Sequence, residues 1–530
     1  MTVAWDEYAD VVVVGFGAAG ACAAIEAAEA GATVVALDRF GGGGSTALSG
    51  GVVYAGGGTA QQRAAGIEDN SEAMFAYLSH EVGDAVSPET LRRFCEGSVS
   101  MLAWLEERGV PFEASLCPHK TSYPDNRFYL YYSGSELSFP APAPRGHRAV
   151  GKGTSGAVLH ARLAAAARER RVRVRTRTTA HRLVTGDGGR VVGVEATTLS
   201  GAPGWVRFAH GVLHRWSVKP GLYLPALGRA LHRPVTWLER RFGRPLRIAA
   251  RRGVVLSAGG FVHNRRMVAE HAPEYRGGLR LGTPADDGSG IRLGTEVGAG
   301  TGHLDRVSLW RFITPPAALV RGVLVDRAGQ RVCDESRYGA AIGDAVLRCD
   351  ERRAWLLVDA GTLAEARRQV REQTLWFQWL QARWLLTVDR VSGPTLAAVA
   401  AKAGVEPGGL AATIKAYNAA AEAGEPDPAG KPADHVRPLG QAPYSLIDCS
   451  VRPRLGQPAP MLTLGGLLVD ERTGLVRRPG GDTIPGLYAA GRSAVGVCSN
   501  SYVSGLSLAD CVFSGRRAGR HAGSEEGVPC

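Results

Sequence analysis

The sequence predicts an α/β fold in which a Rossmann-like dinucleotide-binding domain is interrupted by a second domain. A run of four valines, Val11–Val14, has the composition of a short buried strand. The pattern Gly15-x-Gly17-x-x-Gly20 follows it and opens a helix of small residues, as in a nucleotide-binding βαβ unit. At 530 residues the chain exceeds one hydrophobic core, so two or three domains are expected.

The turn after the first strand predicts a diphosphate site. Its glycines permit a tight turn, close approach of the backbone to a pyrophosphate, and close helix–strand packing. The diphosphate would lie at the helix N-terminus, beside Ala18 and Ala19, where free N–H groups favour negative charge. A second strand, 33–37, ends at Asp38, where a ribose hydroxyl needs an acceptor. Arg39 follows and is a further predicted contact.

A second glycine-rich loop begins directly after Arg39. Its glycines let the backbone pass close to a flat ring or a phosphate, and its hydroxyl side chains supply short donors. A nicotinamide enzyme does not need this loop, whereas FAD does, because the flavin lies far from the first turn. The predicted FAD contacts here are Gly44, Ser45, Thr46, Ser49, Gly50 and Gly51.

Helices and a hairpin are predicted between this loop and residue 203. One helix spans 71–81, and another runs from a Ser87 cap to Gly109. An aromatic loop with four tyrosines, 123–132, is a candidate pocket wall. A helix over 157–169 and a strand precede a hairpin around residues 187–189. Ala180, just before that hairpin, is a predicted cofactor contact.

Most of the net charge of +12 lies in residues 204–252, which hold eleven Arg and Lys and one acid, Glu239. Basic residues interleaved with Trp and Leu favour an in-plane membrane contact. A protein-docking insertion and a solvated excursion remain the alternatives. Four prolines are expected to break the stretch into short pieces. No docking motif accompanies the charge, so nucleic-acid binding is not expected.

The remaining composition indicates a cytoplasmic protein, with membrane association possible through 204–252. No apolar run reaches the length of a membrane span, and no signal peptide is visible. The nine cysteines are scattered without metal-ligand spacing, which predicts reduced thiols and no metal site.

Composition changes near residue 279, where a second domain is predicted. The expected organisation is an FAD-binding domain over 1–278 that contains the basic insertion, a substrate domain over 279–440, and the second part of the FAD-binding domain over 441–530. Within the substrate domain a helix is predicted over 363–381, with Thr362 as its cap. A strand over 253–256, followed by Ala258 and Gly259, is a further cofactor segment.

These motifs together resemble the flavoprotein family of fumarate reductase, succinate dehydrogenase and the 3-ketosteroid dehydrogenases. Gly253–Gly260 resembles the family's strand that returns to the dinucleotide, and Ile484–Gly491 resembles its second FAD signature. The following helix would bring Ser507 and Leu508 to the flavin. The resemblance implies a glutathione-reductase-type FAD-binding domain with an inserted α+β cap domain.

The mode of flavin attachment also follows from this resemblance. Covalent members carry the flavin on a histidine near the second glycine loop. No histidine occurs between Met1 and His80, so non-covalent FAD is implied.

Two segments resemble the branch of 3-ketosteroid Δ4-(5α)-dehydrogenases. Asn500–Gly505 matches a Tyr-Ala-Ser-Gly segment of that branch, while the Tyr-Pro-Gly-Pro-Gly loop of the Δ1-dehydrogenases is absent. Arg331–Tyr338 matches the segment that ends in another active-site tyrosine. The resemblance implies that the catalytic residues are Tyr338, Tyr502, Ser504 and Gly505.

Desaturation beside a ketone suits these residue types. An α-proton must be removed, a hydride must leave the β-carbon for flavin N5, and a donor must polarise the carbonyl. Tyr338 and Ser504 would stabilise a Tyr502 phenolate, and the Gly505 N–H would meet the 3-oxo oxygen. Which tyrosine is the base stays open at this point.

The predicted substrate is a 3-oxo steroid desaturated at C4–C5, with an external electron acceptor. Two alternatives remain. One is a Δ1-dehydrogenase, or a flavin desaturase or ene-reductase acting on another polycyclic ketone. The other is an electron-transfer flavoprotein subunit that docks through 204–252.

Overall fold

The computed structural model describes residues 4–275, 278–452 and 459–525. Seventeen α-helices and twenty strands are assigned within these ranges. The strands are β1 Glu7–Val14, β2 Val34–Asp38, β3 Val52–Tyr54, β4 Leu130–Tyr131, β5 Gly146–Arg148, β6 Arg173–Thr176, β7 Thr178–Thr185, β8 Val191–Thr198, β9 Arg244–Leu256, β10 Leu279–Arg280, β11 Thr301–Gly302, β12 Val307–Leu309, β13 Val323–Val325, β14 Trp355–Val358, β15 Arg390–Gly393, β16 Tyr444–Asp448, β17 Pro460–Thr463, β18 Gly466–Leu467, β19 Leu475–Arg477 and β20 Thr483–Ala489.

The helices complete the element order. They are α1 Ala18–Glu29, α2 Gly44–Leu48, α3 Ala60–Ala64, α4 Ser71–Val82, α5 Pro88–Glu96, α6 Ser98–Glu107, α7 Gly156–Glu169, α8 Gly204–Tyr223, α9 Pro225–Phe242, α10 Arg265–His271, α11 Ser289–Glu296, α12 Gly339–Leu347, α13 Ala360–Gln373, α14 Trp376–Thr387, α15 Leu396–Ala403, α16 Pro407–Ala423 and α17 Leu506–Ser524.

The central sheet has the order β19-β20-β9-β1-β2-β6. The pairs β1–β2, β1–β9, β2–β6 and β9–β20 are parallel. The antiparallel strands β7 and β8 join it along the first half of β9. Parallel sheets need both faces covered, and buried clusters lie on both sides of β1. The predicted α/β, Rossmann-like fold is confirmed.

The first and last helices pack closely enough to join the two ends of the FAD-binding fold. Glycines of α17 face α1 at every fourth position. A Cβ at Gly515 would lie 2.4 Å from Ala19 O, and one at Gly519 would lie 2.2 Å from Ala23 O. Only glycine permits this backbone approach, so the end of the chain is held against the phosphate-binding helix.

The cap region contains two further sheets. Strands β13, β14, β16 and β15 form an antiparallel sheet, and β10, β17 and β12 form a three-stranded one. The predicted domain boundaries stay predictions. Tyr444–Asp448, which follows residue 440, pairs with both Trp355–Val358 and Arg390–Gly393.

Three helix predictions need correction. The helix predicted from Ser87 to Gly109 is two helices that meet at Gly97. The helix predicted over 363–381 is also two, α13 and α14. Asp359, and not Thr362, caps α13, because its carboxylate accepts the Thr362 N–H.

The basic stretch, predicted over 204–252, has two structural parts. Residues 204–242 form α8 and α9, which we call the basic hairpin, and 244–252 belong to β9 in the central sheet. The prediction of short pieces is wrong, because α8 has 20 residues and α9 has 18, with Pro234 inside α9. Pro225 takes the first position of α9, where a missing N–H costs nothing. The side chain of Tyr223 lies outside the described residues.

Searches for membrane spans and metal clusters were limited to the described residues. None of their helices is both long and apolar enough to cross a membrane. Their His, Cys, Asp and Glu side chains form no group that could hold a metal ion.

Candidate active site

A single cavity of about 1530 Å³ runs from the glycine turn after β1 to the N-terminus of α17. Nearly all of the predicted site residues line it, although they come from distant parts of the sequence. These are Gly15, Gly17, Ala18, Ala19, Asp38, Arg39, Gly44, Ser45, Thr46, Ser49, Gly50, Gly51, Ala180, Ala258, Gly259, Tyr338, Tyr502, Ser504, Gly505, Ser507 and Leu508.

Two predicted cofactor contacts do not line this cavity. A Cβ at Gly20 would lie 1.9 Å from Gly15 O, so Gly20 permits the turn and α1 to pack together. Gly491 has a φ of +59°, and a Cβ there would lie 2.8 Å from the Cβ of Ala19. Both glycines are therefore packing positions, and their contact with the cofactor stays a prediction.

The floor of the cavity near β1 is bare backbone, which suits a diphosphate. Gly15 has a φ of +99°, and a Cβ there would lie 2.5 Å from Ser257 O. Thr46 Oγ1 accepts the Ala18 N–H at 2.9 Å. The next N–H groups, of Ala19 and Gly20, lie in the first turn of α1 and have no acceptor within the helix. The residues present therefore fit the diphosphate of FAD.

Asp38 has a structural role that the sequence did not indicate. Its carboxylate accepts the backbone N–H groups of Phe16 at 3.2 Å, Phe40 at 2.8 Å and Gly42 at 3.0 Å. It thereby ties the first turn to the second glycine loop. A carboxylate has about four acceptor positions, so capacity remains for a ribose hydroxyl.

The basic hairpin contacts the part of the cavity beside Asp38 and Arg39, which we call the adenosine end. Arg39 donates to Glu239 of α9 at 2.9 and 3.2 Å, and its Nη1 lies 3.3 Å from Asp287. His210 of α8 contacts the same carboxylate at 3.1 Å. Burial raises the pKa of Glu239, but these hydrogen bonds outweigh it and lower the value to about 2. Glu239 is therefore ionised and locks the hairpin to Arg39.

Aromatic stacking adds to this contact. The rings of Phe40 and His214 are parallel within 6°, with centroids 3.6 Å apart. Burial lowers the pKa of His214 to about 3 and that of His232 to about 4. Both imidazoles are therefore neutral at pH 7 and pack as aromatic groups.

Arg492 directly follows the second FAD signature. Its guanidinium pairs with Asp286, which also accepts the hydroxyl of Ser45 and, at 2.9 Å, the N–H of Thr283. Arg492 Nη1 is buried without a hydrogen bond to the described residues. Such a donor needs an acceptor, and an oxygen of bound FAD would supply one.

The other part of the cavity, which we call the tyrosine end, is built of hydroxyl and aromatic groups. The ring centroids of Tyr338 and Tyr502 are 6.3 Å apart. Tyr131 OH lies 3.0 Å from Ser504 Oγ. Trp310 stacks on Tyr502 at 5.0 Å, and Phe312 packs edge-on against Tyr338 at 5.8 Å. The tyrosine end therefore offers hydroxyl groups inside an aromatic wall.

Burial controls the protonation of all three tyrosines. It raises the pKa of Tyr131, Tyr338 and Tyr502 above the ordinary value for a phenol. Hydrogen bonding of Tyr131 and Tyr338 with Ser504, and of Tyr502 with the Gly505 backbone, acts against this rise. At neutral pH these phenols are protonated donors.

Gly505 positions this group at the N-terminus of α17. Its φ is +94°, and a Cβ would lie 2.8 Å from the backbone nitrogen of Tyr54. Its carbonyl accepts that N–H at 3.1 Å. The backbone of Gly505 bonds to Tyr502, whereas the sequence predicted a contact with the substrate ketone.

Sequence reasoning missed several residues of the tyrosine end. Tyr131 lies in the aromatic loop that was predicted to line a pocket, but nothing singled it out among four tyrosines. Trp310 and Phe312 carry no motif. They reach the cavity because β12, which pairs with β17, ends directly before them. Only the tertiary structure identifies them.

The cavity reaches the surface at α14. Trp376 lines the cavity and is also 75% exposed. Phe377, Ala382 and Leu385 of the same segment line it as well. An apolar molecule can therefore approach the cavity past the apolar side chains of this segment.

Comparisons with known proteins agree with this geometry. The family model described as "FAD binding domain" matches residues 10–508. A 3-oxo-5-alpha-steroid 4-dehydrogenase of Comamonas testosteroni is 38% identical over 506 residues, which cover 92% of this chain and 93% of the relative. A 3-oxosteroid 1-dehydrogenase of Mycobacterium tuberculosis is 28% identical and covers 98% of this chain and 99% of the relative.

A solved structure extends the similarity to the whole fold. The crystal structure of 3-ketosteroid-delta4-(5alpha)-dehydrogenase from Rhodococcus jostii RHA1, in complex with 4-androstene-3,17-dione, superposes with a TM-score of 0.83. It is 32% identical and covers 99% of both chains. The family predicted from the motifs is therefore confirmed, and this chain belongs to the FAD-binding flavoproteins that include the 3-ketosteroid dehydrogenases.

Proposed function

We propose that this protein is an FAD-dependent dehydrogenase that converts a 3-oxo-5α-steroid to the 4-ene-3-oxo steroid. The observation that carries the proposal is the tyrosine end, where Tyr131 and Tyr338 meet Ser504 and Tyr502 lies beside Tyr338. The Comamonas relative carries the corresponding name, and the Rhodococcus relative was solved with a 4-ene-3-oxo steroid.

The reaction removes a proton from C4 and a hydride from C5. FAD, when bound, supplies the hydride acceptor. The protein must polarise the C3 ketone and accept the C4 proton, because enolate charge develops on the ketone oxygen. The aromatic wall of Trp310 and Phe312 excludes water and holds the apolar rings.

The two tyrosines have to divide these roles. A protonated phenol donates a hydrogen bond to the ketone, and burial keeps both Tyr338 and Tyr502 in that form. The other phenol must lose its proton to act as the base. Ser504 bonds to Tyr338, and the Gly505 backbone bonds to Tyr502, so each phenolate would retain one donor. The proposal leaves the assignment between the two open.

Anaerobic titration of the purified yellow protein tests this function. Bleaching of the flavin absorbance by a 3-oxo-5α-steroid, with formation of the 4-ene product, is the expected result. A 4-ene-3-oxo steroid as substrate would instead indicate Δ1 activity. Bleaching by succinate alone would contradict the proposal.

We also propose that the FAD is held without a covalent bond. The second glycine loop contains no histidine, and His160, which approaches it from α7, directs its Nε2 to Phe16 O at 2.9 Å. After acid precipitation all of the flavin should appear in the supernatant. Flavin that stays in the pellet would contradict this.

We further propose that the basic hairpin touches a membrane surface in the cytoplasm. Trp205, Phe208 and Trp216 of α8 are 59%, 73% and 66% exposed, and their spacing puts them on one side of the helix. Exposed aromatics beside arginines suit the lipid interface. The described cysteines are free thiols, in keeping with a reducing compartment.

Vesicle co-sedimentation tests this contact without removing the hairpin, whose Glu239 holds Arg39. The double variant Phe208→Ser with Trp216→Ser should lose vesicle binding. The matched control, Leu380→Ser with Val388→Ser, removes exposed apolar groups from α14 and the segment after it, and it should bind like the parent protein. Equal binding by all three proteins would contradict the contact.

An external two-electron acceptor completes the proposed cycle. If this acceptor docked on the hairpin, as in an electron-transfer subunit, the variant Phe208→Ser with Trp216→Ser would reoxidise its flavin more slowly in solution. We expect unchanged reoxidation, because the hairpin contacts the adenosine end and not Tyr502.

A further inference from the structure

A second cavity, of about 530 Å³, lies between the basic hairpin and residues 263–265 and 280–284. Five arginines line it and no acid does. Three of them lie on α9 at positions i, i+4 and i+11, which a helix brings to one face. The five are Arg229, Arg233, Arg240, Arg265 and Arg280. We call this cavity the arginine pocket.

These guanidinium groups are not neutralised by the protein. None of the five forms an ion pair or a hydrogen bond within the described part of the chain, whereas Arg39 and Arg492 are paired. Burial and the neighbouring charges of Arg265 and Arg229 lower the pKa of Arg280. Like charges gathered without counter-charge repel, and a bound anion would relieve that repulsion.

Two histidines give a second, independent indication of a ligand. His232 and His263 line the same pocket, and the Nε2 of each is buried without a hydrogen bond to the described residues. The Nδ1 of His232 lies 3.2 Å from Ser217 Oγ. His263 forms a hydrogen bond with the backbone of Gly282. Buried unpaired nitrogens call for a partner, and a hydroxyl group of a bound headgroup could supply it.

Exposed apolar side chains lie in or close along the chain to the lining of the arginine pocket, which indicates where the anion comes from. Trp237 lines the pocket and is 56% exposed. Leu224 and Leu227, at the turn of the hairpin, are 49% and 45% exposed. A cationic recess beside an exposed aromatic and aliphatic rim matches a lipid whose phosphate is bound while its chains stay in the membrane.

We propose that the arginine pocket binds the phosphate group of an anionic phospholipid. The proposal rests on the membrane contact described above and specifies its chemistry. Arginine suits phosphate because its planar N–H groups form paired, charge-assisted hydrogen bonds. Arg240 also borders the FAD cavity, so lipid binding occurs next to the adenosine end.

Co-sedimentation of the FAD-loaded protein with vesicles tests the proposal. Vesicles of phosphatidylcholine with phosphatidylglycerol are compared with phosphatidylcholine alone. The test variant is Arg229→Gln with Arg233→Gln. The control, Arg215→Gln with Arg241→Gln, removes the same charge from the hairpin outside the pocket. We expect the pocket variant to lose at least tenfold more affinity for the anionic vesicles than the control.

Other outcomes overturn the proposal in distinguishable ways. Equal losses in both variants would mean diffuse attraction by net charge. Calorimetric binding of glycerol 3-phosphate without vesicle binding would mean that the pocket takes a soluble phosphate ester. Steroid dehydrogenation in solution should be the same in all three proteins. Its absence from all of them would contradict the proposed function and leave the lipid result standing.

Discussion

The tyrosine end and the adenosine end of the cavity hold polar groups in opposite ways. Around Tyr338, Tyr502 and Ser504 the groups are uncharged hydroxyls, and burial keeps the phenols protonated. Around Arg39 the groups are ions, and Glu239 stays charged because Arg39 and His210 donate to it. A proton-transfer site needs groups that can change protonation, whereas an anchoring site needs groups that do not.

The two ends also differ in how they are built. The tyrosine end combines the segment before α17 with residues of the cap region, and both tyrosine segments match the family. The adenosine end is closed by the basic hairpin, whose Glu239 pairs with Arg39. The chemistry therefore lies in segments that match the family, and the basic hairpin borders the anchoring end.

Replacement of Tyr502 by Phe should have the largest effect. We expect turnover to fall roughly a hundredfold to ten-thousandfold, as for loss of an acid or base, while flavin content stays unchanged. Stopped-flow flavin reduction by a 3-oxo-5α-steroid measures it. Tyr8→Phe, at an exposed tyrosine, is the control. Near-normal reduction in Tyr502→Phe would remove this residue from the chemistry.

Ser504→Ala should have a smaller effect, because it removes only a hydrogen-bond partner. Loss of a buried partner costs about 1–3 kcal/mol, or roughly a tenfold to hundredfold loss of rate. Ser504 opposes the burial that raises the pKa of Tyr338, so with Tyr338 as the base the alkaline rise of activity should move to higher pH. Ser504→Thr should restore the profile. An unchanged profile in Ser504→Ala would show that Ser504 does not act through the tyrosine.

Acid should open the adenosine end before the rest of the fold. The folded pKa values of His214, about 3, and His232, about 4, lie below the unfolded value of 6.5. The open hairpin therefore binds more protons than the closed one. The stability of the closed hairpin is full above pH 6.5 and falls as the pH decreases from there toward 4. The equilibrium constant for opening of the hairpin changes at most about tenfold per histidine and per pH unit.

Hydrogen exchange, corrected for the intrinsic rate, measures this opening. Amides of 204–242 should become less protected between pH 7 and 5, while those of α17 stay protected. His214→Phe keeps a ring against Phe40 and should weaken the pH dependence. Uniform loss of protection across the protein would contradict a local opening.

Glu239→Gln should give the smallest change. The amide keeps the shape of the side chain but removes the charge facing Arg39, a partly exposed pair. We expect FAD to bind about threefold to tenfold more weakly to the apoprotein, as for loss of a charge-assisted hydrogen bond, with turnover of the loaded enzyme unchanged. Flavin fluorescence quenching measures the dissociation constant. The control is Glu422→Gln, at an exposed glutamate that does not line the cavity. Unaltered binding in Glu239→Gln would contradict the anchoring role.

The sequence predicted which segments form the tyrosine end, but it did not predict the protonation of their side chains. The matches around Tyr338 and Tyr502 identified two segments, and the structure brings them within one cavity. Their protonation could not be predicted, because it depends on burial by Trp310, Phe312 and other residues distant in the chain. Tyr131 was missed for the same reason, since its contact with Ser504 joins residues that are 373 positions apart.

At the adenosine end the sequence indicated an unusual composition, but the secondary structure predicted from it was wrong. Charge and prolines indicated an unusual stretch, but the prolines were expected to break it. Pro225 instead starts a helix, and Pro234 is accommodated within it. Hairpin packing against Arg39 and Phe40 outweighs the local cost of a proline, which a local pattern cannot show.

By itself, the sequence determined the cofactor class, the α/β fold and the family, because glycine spacing and apolar strands are local requirements of a dinucleotide site. The tertiary structure decided which hydroxyls meet, which carboxylate holds the hairpin, and which arginines are left unpaired. Those properties arise from burial and from contacts between distant residues, and neither can be derived from local sequence.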